Sequence, residues 1–76
     1  MERLLGILSE IRPDVDFINE EELVDSGILD SFDIVSIIAE VDNEFGVAIR
    51  ITELKPENFN SASAIYKLIQ ELKEKQ

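Results

Sequence analysis

The chain has no cysteine and no histidine. Disulfides and Cys/His metal sites are therefore excluded, and so are a thiol nucleophile and a serine activated by histidine. Long apolar runs are also missing: nothing approaches the ~20 consecutive residues that a membrane-spanning helix needs. Met1-Glu2-Arg3 leads into an amphipathic stretch, unlike the unbroken apolar core of a signal peptide, so a soluble, cytoplasmic protein is expected. Basic residues are scarce, seven against 17 acids, for a net charge of −10. That balance argues against nucleic acid, whose binders carry basic surface. With 76 residues in all, 1–76 form one domain at most, with a thin core.

The shortage of cations is local. Between Pro13 and Ala48 lie eleven acids and no Lys or Arg. Such a block either acts as a solubility coat or steers basic partners to this half of the molecule. It does not encode a calcium loop. An EF-hand beginning at Asp14 needs an oxygen ligand, a glycine and a glutamate at its fifth, sixth and twelfth positions, where the chain has Ile18, Asn19 and Asp25. No metal site is expected.

Helical periodicity accounts for most of the remainder. Leu4, Ile7, Leu8 and Ile11 recur at helical spacing over 2–12, and Pro13 stops that helix. Arg12 then sits where a cation suits the negative end of the helix dipole. Residues 13–29 have no sustained period, yet Val15, Phe17, Ile18, Leu23, Val24, Ile28 and Leu29 suffice for a packed, structured loop. Glu20-Glu21-Glu22-Leu23 is a candidate helical turn within it, and Gly27 supplies a positive φ.

A second helix is expected over 31–45, capped by Asp30, with Asp33 adding charge in its first turn and Gly46 as its C-terminal stop. Val47–Ile51 alternates like a strand but has no partner strand, so it reads as an extended connector with Ile49 inward. A short third helix is expected around 52–58, with Thr52 as cap, Leu54 and Phe59 facing the core and Pro56 limiting its regularity. Asn60 or Ser61 caps a last helix striped by Ile65, Leu68, Ile69 and Leu72, with Lys73 and Lys75 at its end. The expectation is an all-α, small four-helix bundle: three longer helices, one short helix and a long structured loop between the first two.

One face of the second helix is out of place. With Ser31 at 0°, Ile34, Ile37, Ile38, Val41 and Phe45 fall between about 240° and 340°, an ordinary core stripe. Val35, Ala39 and Phe32 fall near about 40°, 80° and 100°, on the side that should be solvated. Either the 13–29 loop folds over Phe32 and Val35, or they form an apolar docking patch with an acidic rim. Ser31 likewise has two readings. Its hydroxyl makes local hydrogen bonds, or another protein modifies it, since a helix N-terminus stabilises a phosphate group. A self-sufficient nucleophile is excluded for want of a base, so no enzyme is expected.

Gly27-Ile28-Leu29-Asp30-Ser31-Phe32-Asp33, followed by Val35, Ile38, Phe45-Gly46 and Ile49, resembles the acyl and peptidyl carrier protein signature. The likeness covers almost the whole chain, including the long first loop and the short third helix. It implies that Ser31 carries 4′-phosphopantetheine, transferred from coenzyme A by a phosphopantetheinyl transferase. It also implies that Asp30 and Asp33 flank the phosphodiester and help recruit that enzyme. Phe32, Val35, Ala39, Glu40 and Asp42 would then form the recognition face for the transferase and for an adenylating ligase or acyltransferase with a basic docking surface.

The cargo implied is a thioester-linked acyl or aminoacyl group, carried by a monomer that does not insert into membranes. Phe32 stands in place of the usual leucine and Ala39 where fatty-acid carriers often have methionine. Asp-Ser-Phe and the spacing from Phe45-Gly46 through Phe59 to Ile65 are closer to the D-alanyl carrier proteins, although Ser61-Ala62-Ser63 replaces a Thr-Pro-Asn-like start of the last helix. The rival reading is an unmodified acidic helical adaptor that binds a partner through the Phe32/Val35 face.

Overall fold

The computed structural model describes residues 1–75. They form four helices: α1 (Glu2–Ile11), α2 (Ser31–Phe45), the short α3 (Pro56–Phe59) and α4 (Ala62–Glu74), with no strand among them. The expected all-α bundle is what forms. Helix α1 packs on α2 and α4, and α3 lies against α4.

The core takes Leu4 and Leu8 from α1, Ile37 and Val41 from α2, Phe59 from α3, and Ile65, Leu68 and Ile69 from α4. The loop between α1 and α2 contributes Phe17, Leu23 and Leu29, each less than 5% exposed. Three buried anchors over that stretch explain why a long segment without regular structure is nonetheless ordered. A helical turn from Asp16 to Glu20 closes on the Asp16 carbonyl at 3.1 Å, and another runs from Glu22 to Ser26, where the Ser26 N–H donates to the Glu22 carbonyl at 2.8 Å. That is two residues later than the glutamate run suggests, because Leu23 has to reach the core.

Asn60 holds this turn in place. Its Oδ1 accepts from the amides of Val24 and Asp25, both at 3.0 Å, while its backbone carbonyl accepts from Leu23 N–H at 2.9 Å. Capping of α4 falls to Ser61, whose Oγ accepts from the Ala64 N–H at 3.0 Å. The two candidates for that cap thus do different jobs. Asn60→Ala leaves two amides without their acceptor, a loss of about 1–3 kcal/mol. Urea denaturation should register it, and hydrogen exchange should accelerate first at Val24 and Asp25.

Helix α2 ends as its sequence suggests. Gly46 adopts φ 66°, its N–H bonding the Asp42 carbonyl, and Val47 is wholly buried beyond it. Val47 and Ile49 of the extended connector point inward. The third-helix region departs from expectation. Residues Ile51–Glu53 form a separate 3₁₀ turn with no side-chain cap from Thr52, and Pro56 starts α3 instead of disturbing it. Proline has no N–H to lose at a first helical position. With the helix split in two, Phe59 is buried but Leu54 is turned out, 42% exposed.

Candidate functional site at the start of helix α2

The serine-bearing turn is tied on both sides. Gly27 takes φ 81°, open to glycine and strained for other residues. The Leu29 N–H then bonds the Leu23 carbonyl at 2.8 Å, with both leucine side chains buried. Asp30 follows in extended conformation as the cap: its Oδ1 accepts from the Asp33 N–H at 2.9 Å, and Asp33 Oδ2 accepts from the Asp30 N–H at 3.3 Å. This reciprocal capping box satisfies the helix start without help from Ser31. Ser31 is exposed, and its hydroxyl makes no hydrogen bond among the described residues. Of the two readings of that hydroxyl, local bonding is the one the structure does not support.

Asp33 faces inward. Its side chain is 12% exposed and pairs with Arg12, Nη1 to Oδ2 at 2.6 Å. Asp30 and Ser31 remain at the surface, so the two aspartates around the serine are not equivalent. Sequence periodicity offered no hint of this, because Arg12 lies 21 residues away. The same Nη1 donates to the Ile28 carbonyl at 2.9 Å, while Nε and Nη2 bond Asp14 at 3.1 and 3.0 Å. Arg12 is thereby held protonated above its ordinary range, first by Asp14 and then by Asp33. Asp14 is correspondingly lowered, chiefly by the Arg12 hydrogen bond.

Asp16 is lowered as well, chiefly by the Asn19 side-chain amide at 2.8 Å, with the Asn19 and Ile18 N–H groups adding to it. A carboxyl lowered by folding contributes stability that is present above its ordinary value of 3.8 and is lost as pH falls through the lowered one. Carboxyl NMR should find the Asp16 midpoint below that ordinary value, and Asn19→Ala should move it back up.

Around Ser31 the surface is apolar. Phe32 is 80% and Val35 63% exposed, so the loop does not cover them. Asp33, by contrast, is covered from the start of the loop by its pairing with Arg12. Beside Ser31 a groove of about 250 Å³ opens between α2 and the α3 region. Val24, Ile34, Val35, Leu54, Pro56 and Phe59 line it, with Lys55 and Ser31 as its polar members. Among the described residues no hydrogen bond joins Lys55, or any other base, to the Ser31 hydroxyl. Ala39, Glu40 and Asp42 are exposed further along α2. Ala39 and Glu40 border a second, shallow groove with Glu10 and Ile11 of α1. Leu54 and Lys55 belong to the Ser31 surroundings but escaped sequence reading, since only the break at Pro56 turns them toward α2.

Charges of both signs lie along α2. At its far end, about 21 Å from Ser31 along the axis, the Arg3 guanidinium stacks 5.0 Å from the Phe45 ring and pairs with Glu44 at 2.8 Å. Lys73 lies 6.0 Å from the same ring. Cations thus lie at both ends of the helix, Arg3 and Lys73 here and Arg12 and Lys55 near the serine.

Residues 2–69 match the family described as the phosphopantetheine attachment site. The chain belongs to that family. It is a non-catalytic carrier whose prosthetic group is phosphopantetheine, which displaces the unmodified-adaptor reading.

Among its relatives, the D-alanyl carrier protein of Streptococcus suis is 33% identical over 72 residues, 93% of this chain and 91% of that protein. The D-alanyl carrier protein of Streptococcus mutans is 34% identical over 71 residues, 92% and 90% of the two chains. That of Streptococcus equi subsp. zooepidemicus is 37% identical over 59 residues, 78% and 75%. A phosphopantetheine carrier needs an accessible hydroxyl that structural bonding does not consume, and the Asp30 cap leaves Ser31 in that state. The residues present fit the group: its phosphate would stand at the N-terminus of a 15-residue helix, and the apolar groove adjoins it. Among the described residues no helix is long and apolar enough to cross a membrane.

Proposed function

We propose that Ser31 is the attachment point of 4′-phosphopantetheine and that the protein carries an aminoacyl group, D-alanine, from an adenylating ligase to a downstream transferase. The exposed Ser31 hydroxyl, left unbonded by the Asp30–Asp33 capping box, is the observation that carries this reading. In the attachment reaction a bond forms between Ser31 Oγ and the phosphorus next to the pantetheine of coenzyme A. The pyrophosphate P–O bond breaks, and adenosine 3′,5′-bisphosphate leaves. The hydroxyl proton passes to a base of the transferase, because this chain places none nearby. When bound, the group supplies the thiol that a cysteine-free chain lacks.

The chain's own residues then present and dock. Helix α2 directs its first-turn amides and dipole at the phosphodiester. Asp30 beside Ser31, and Glu40 and Asp42 further along α2, are exposed acids suited to a basic docking surface. The D-alanyl carrier proteins among its relatives support D-alanine as cargo. These reactions belong to the cytoplasm, where coenzyme A and ATP are at hand.

The test is intact mass after incubation with coenzyme A and a broad-range transferase, followed by ligase assays. A gain of one phosphopantetheine on Ser31, and then one D-alanyl group with a D-alanine-activating ligase, is expected. Loading by a fatty-acyl ligase and not by the D-alanine enzyme would sink the cargo assignment alone. Phe32→Ala should weaken loading about tenfold, as removal of an apolar contact anchor does. At 80% exposure its loss should leave stability within about 0.5 kcal/mol.

A further inference from the structure

We propose that Arg12, 19 residues before Ser31 and outside the docking face, is a positioning residue that sets the serine hydroxyl for modification. The inference rests on Ser31 being the modified residue. Three segments meet at this one guanidinium. Nη1 grips the Asp33 carboxylate at 2.6 Å and the Ile28 carbonyl at 2.9 Å, while Nε and Nη2 bracket Asp14 at 3.1 and 3.0 Å. Ile28 and Asp33 lie on either side of Ser31 in sequence, so the fork closes the serine turn from within.

The carboxylate gripped is also the one that accepts from the Asp30 N–H, and Asp30 in turn caps Asp33. Arg12 therefore sets the orientation of the capping box, and the capping box sets that of Ser31. Its own place is well defined: the Arg12 N–H ends α1 on the Leu8 carbonyl at 2.9 Å, and its carbonyl accepts from Val15 at 3.2 Å. Leu8 is fully buried, so the chain linking the core to the serine has no long flexible member except the arginine, and that is bonded through all three of its nitrogens. Only a planar fork meets two acceptors on one side and a carboxylate on the other; an ammonium holds one of them well.

The experiment is single-turnover modification of the full chain by excess transferase. It reads the rate at saturation and the half-saturating transferase concentration separately. Arg12→Met should lower the saturating rate about tenfold and move the half-saturating concentration less than about twofold, since Phe32 and Val35 are untouched. Arg12→Lys keeps the charge and should recover only part of the rate, and it decides the matter if the methionine variant does not fold. Asp14→Asn, which spares the grip on Asp33 and Ile28 but weakens that on Nε and Nη2, should lower the saturating rate less than either Arg12 variant. Amide exchange at Asp30 and Asp33 should quicken in Arg12→Lys whether or not the transferase acts.

Unchanged saturating rates in the folded Arg12 variants, or an effect confined to the half-saturating concentration, would overturn the positioning role while leaving Ser31 as the site. A wild-type chain that gains no mass, or gains it elsewhere than Ser31, would instead remove the attachment assignment.

Discussion

Ser31→Ala should abolish the phosphopantetheine mass gain and leave the fold intact. The expected loss is complete, because the bond to phosphorus needs an oxygen nucleophile and alanine offers none. The expected stability change is within about 0.5 kcal/mol, for three reasons. The side chain is exposed, its hydroxyl makes no hydrogen bond, and the cap that holds the helix start belongs to Asp30. Alanine is also a better helix former than serine, so α2 loses nothing in propensity. Mass spectrometry and a thermal melt on the same sample check both halves. A Ser31→Ala protein that melted far below wild type would mean the hydroxyl has a structural partner. One that still gained the group would place the attachment on another serine, with Ser9, Ser26, Ser36, Ser61 and Ser63 to be searched.

The largest stability effect is expected at Phe59→Ala, about 3–5 kcal/mol in urea denaturation. Phe59 is 1% exposed and heads the fully buried side chains by size. A helix as short as α3 cannot hold itself by backbone bonds alone; its packing on α4 keeps it in place. For a chain of 76 residues the whole folding free energy is roughly 4–11 kcal/mol, so this one truncation removes a large share of it. The groove should suffer with the fold. Leu54, Lys55 and Pro56 line the space beside Ser31 together with Phe59, and a loosened α3 would let that wall drift. Phe32→Ala is the matching control. Of these two phenylalanines near the serine, one is exposed and the other a core residue, and only their packing separates them.

That contrast marks where the sequence was readable. The core stripes of the three long helices, the Asp30 cap, the Gly46 stop and the inward Val47 and Ile49 follow from periodicity and from local backbone chemistry. Those depend on residues within about one helical turn of each other. The suspicion that Phe32 and Val35 are uncovered rested on the same wheel, and the exposed face is where it placed them. Three features near the site were not readable. The 3₁₀ turn at Ile51–Glu53 and the fresh start at Pro56 turned Leu54 outward. Asn60 became the fastening of the loop instead of a cap. Asp33 turned from the surface to Arg12.

By itself, then, the sequence determined the three longer helices, the Asp30 cap and Gly46 stop of α2, and the serine at its head. Each is a matter of residue type and short-range spacing. Only the tertiary structure decided which of the flanking aspartates stays available, which apolar residues share the groove with Ser31, and that Arg12 reaches across to the turn that bears it. Those outcomes depend on which segments the packed core brings within hydrogen-bonding distance, and a side chain 21 positions away leaves no periodic trace in the chain.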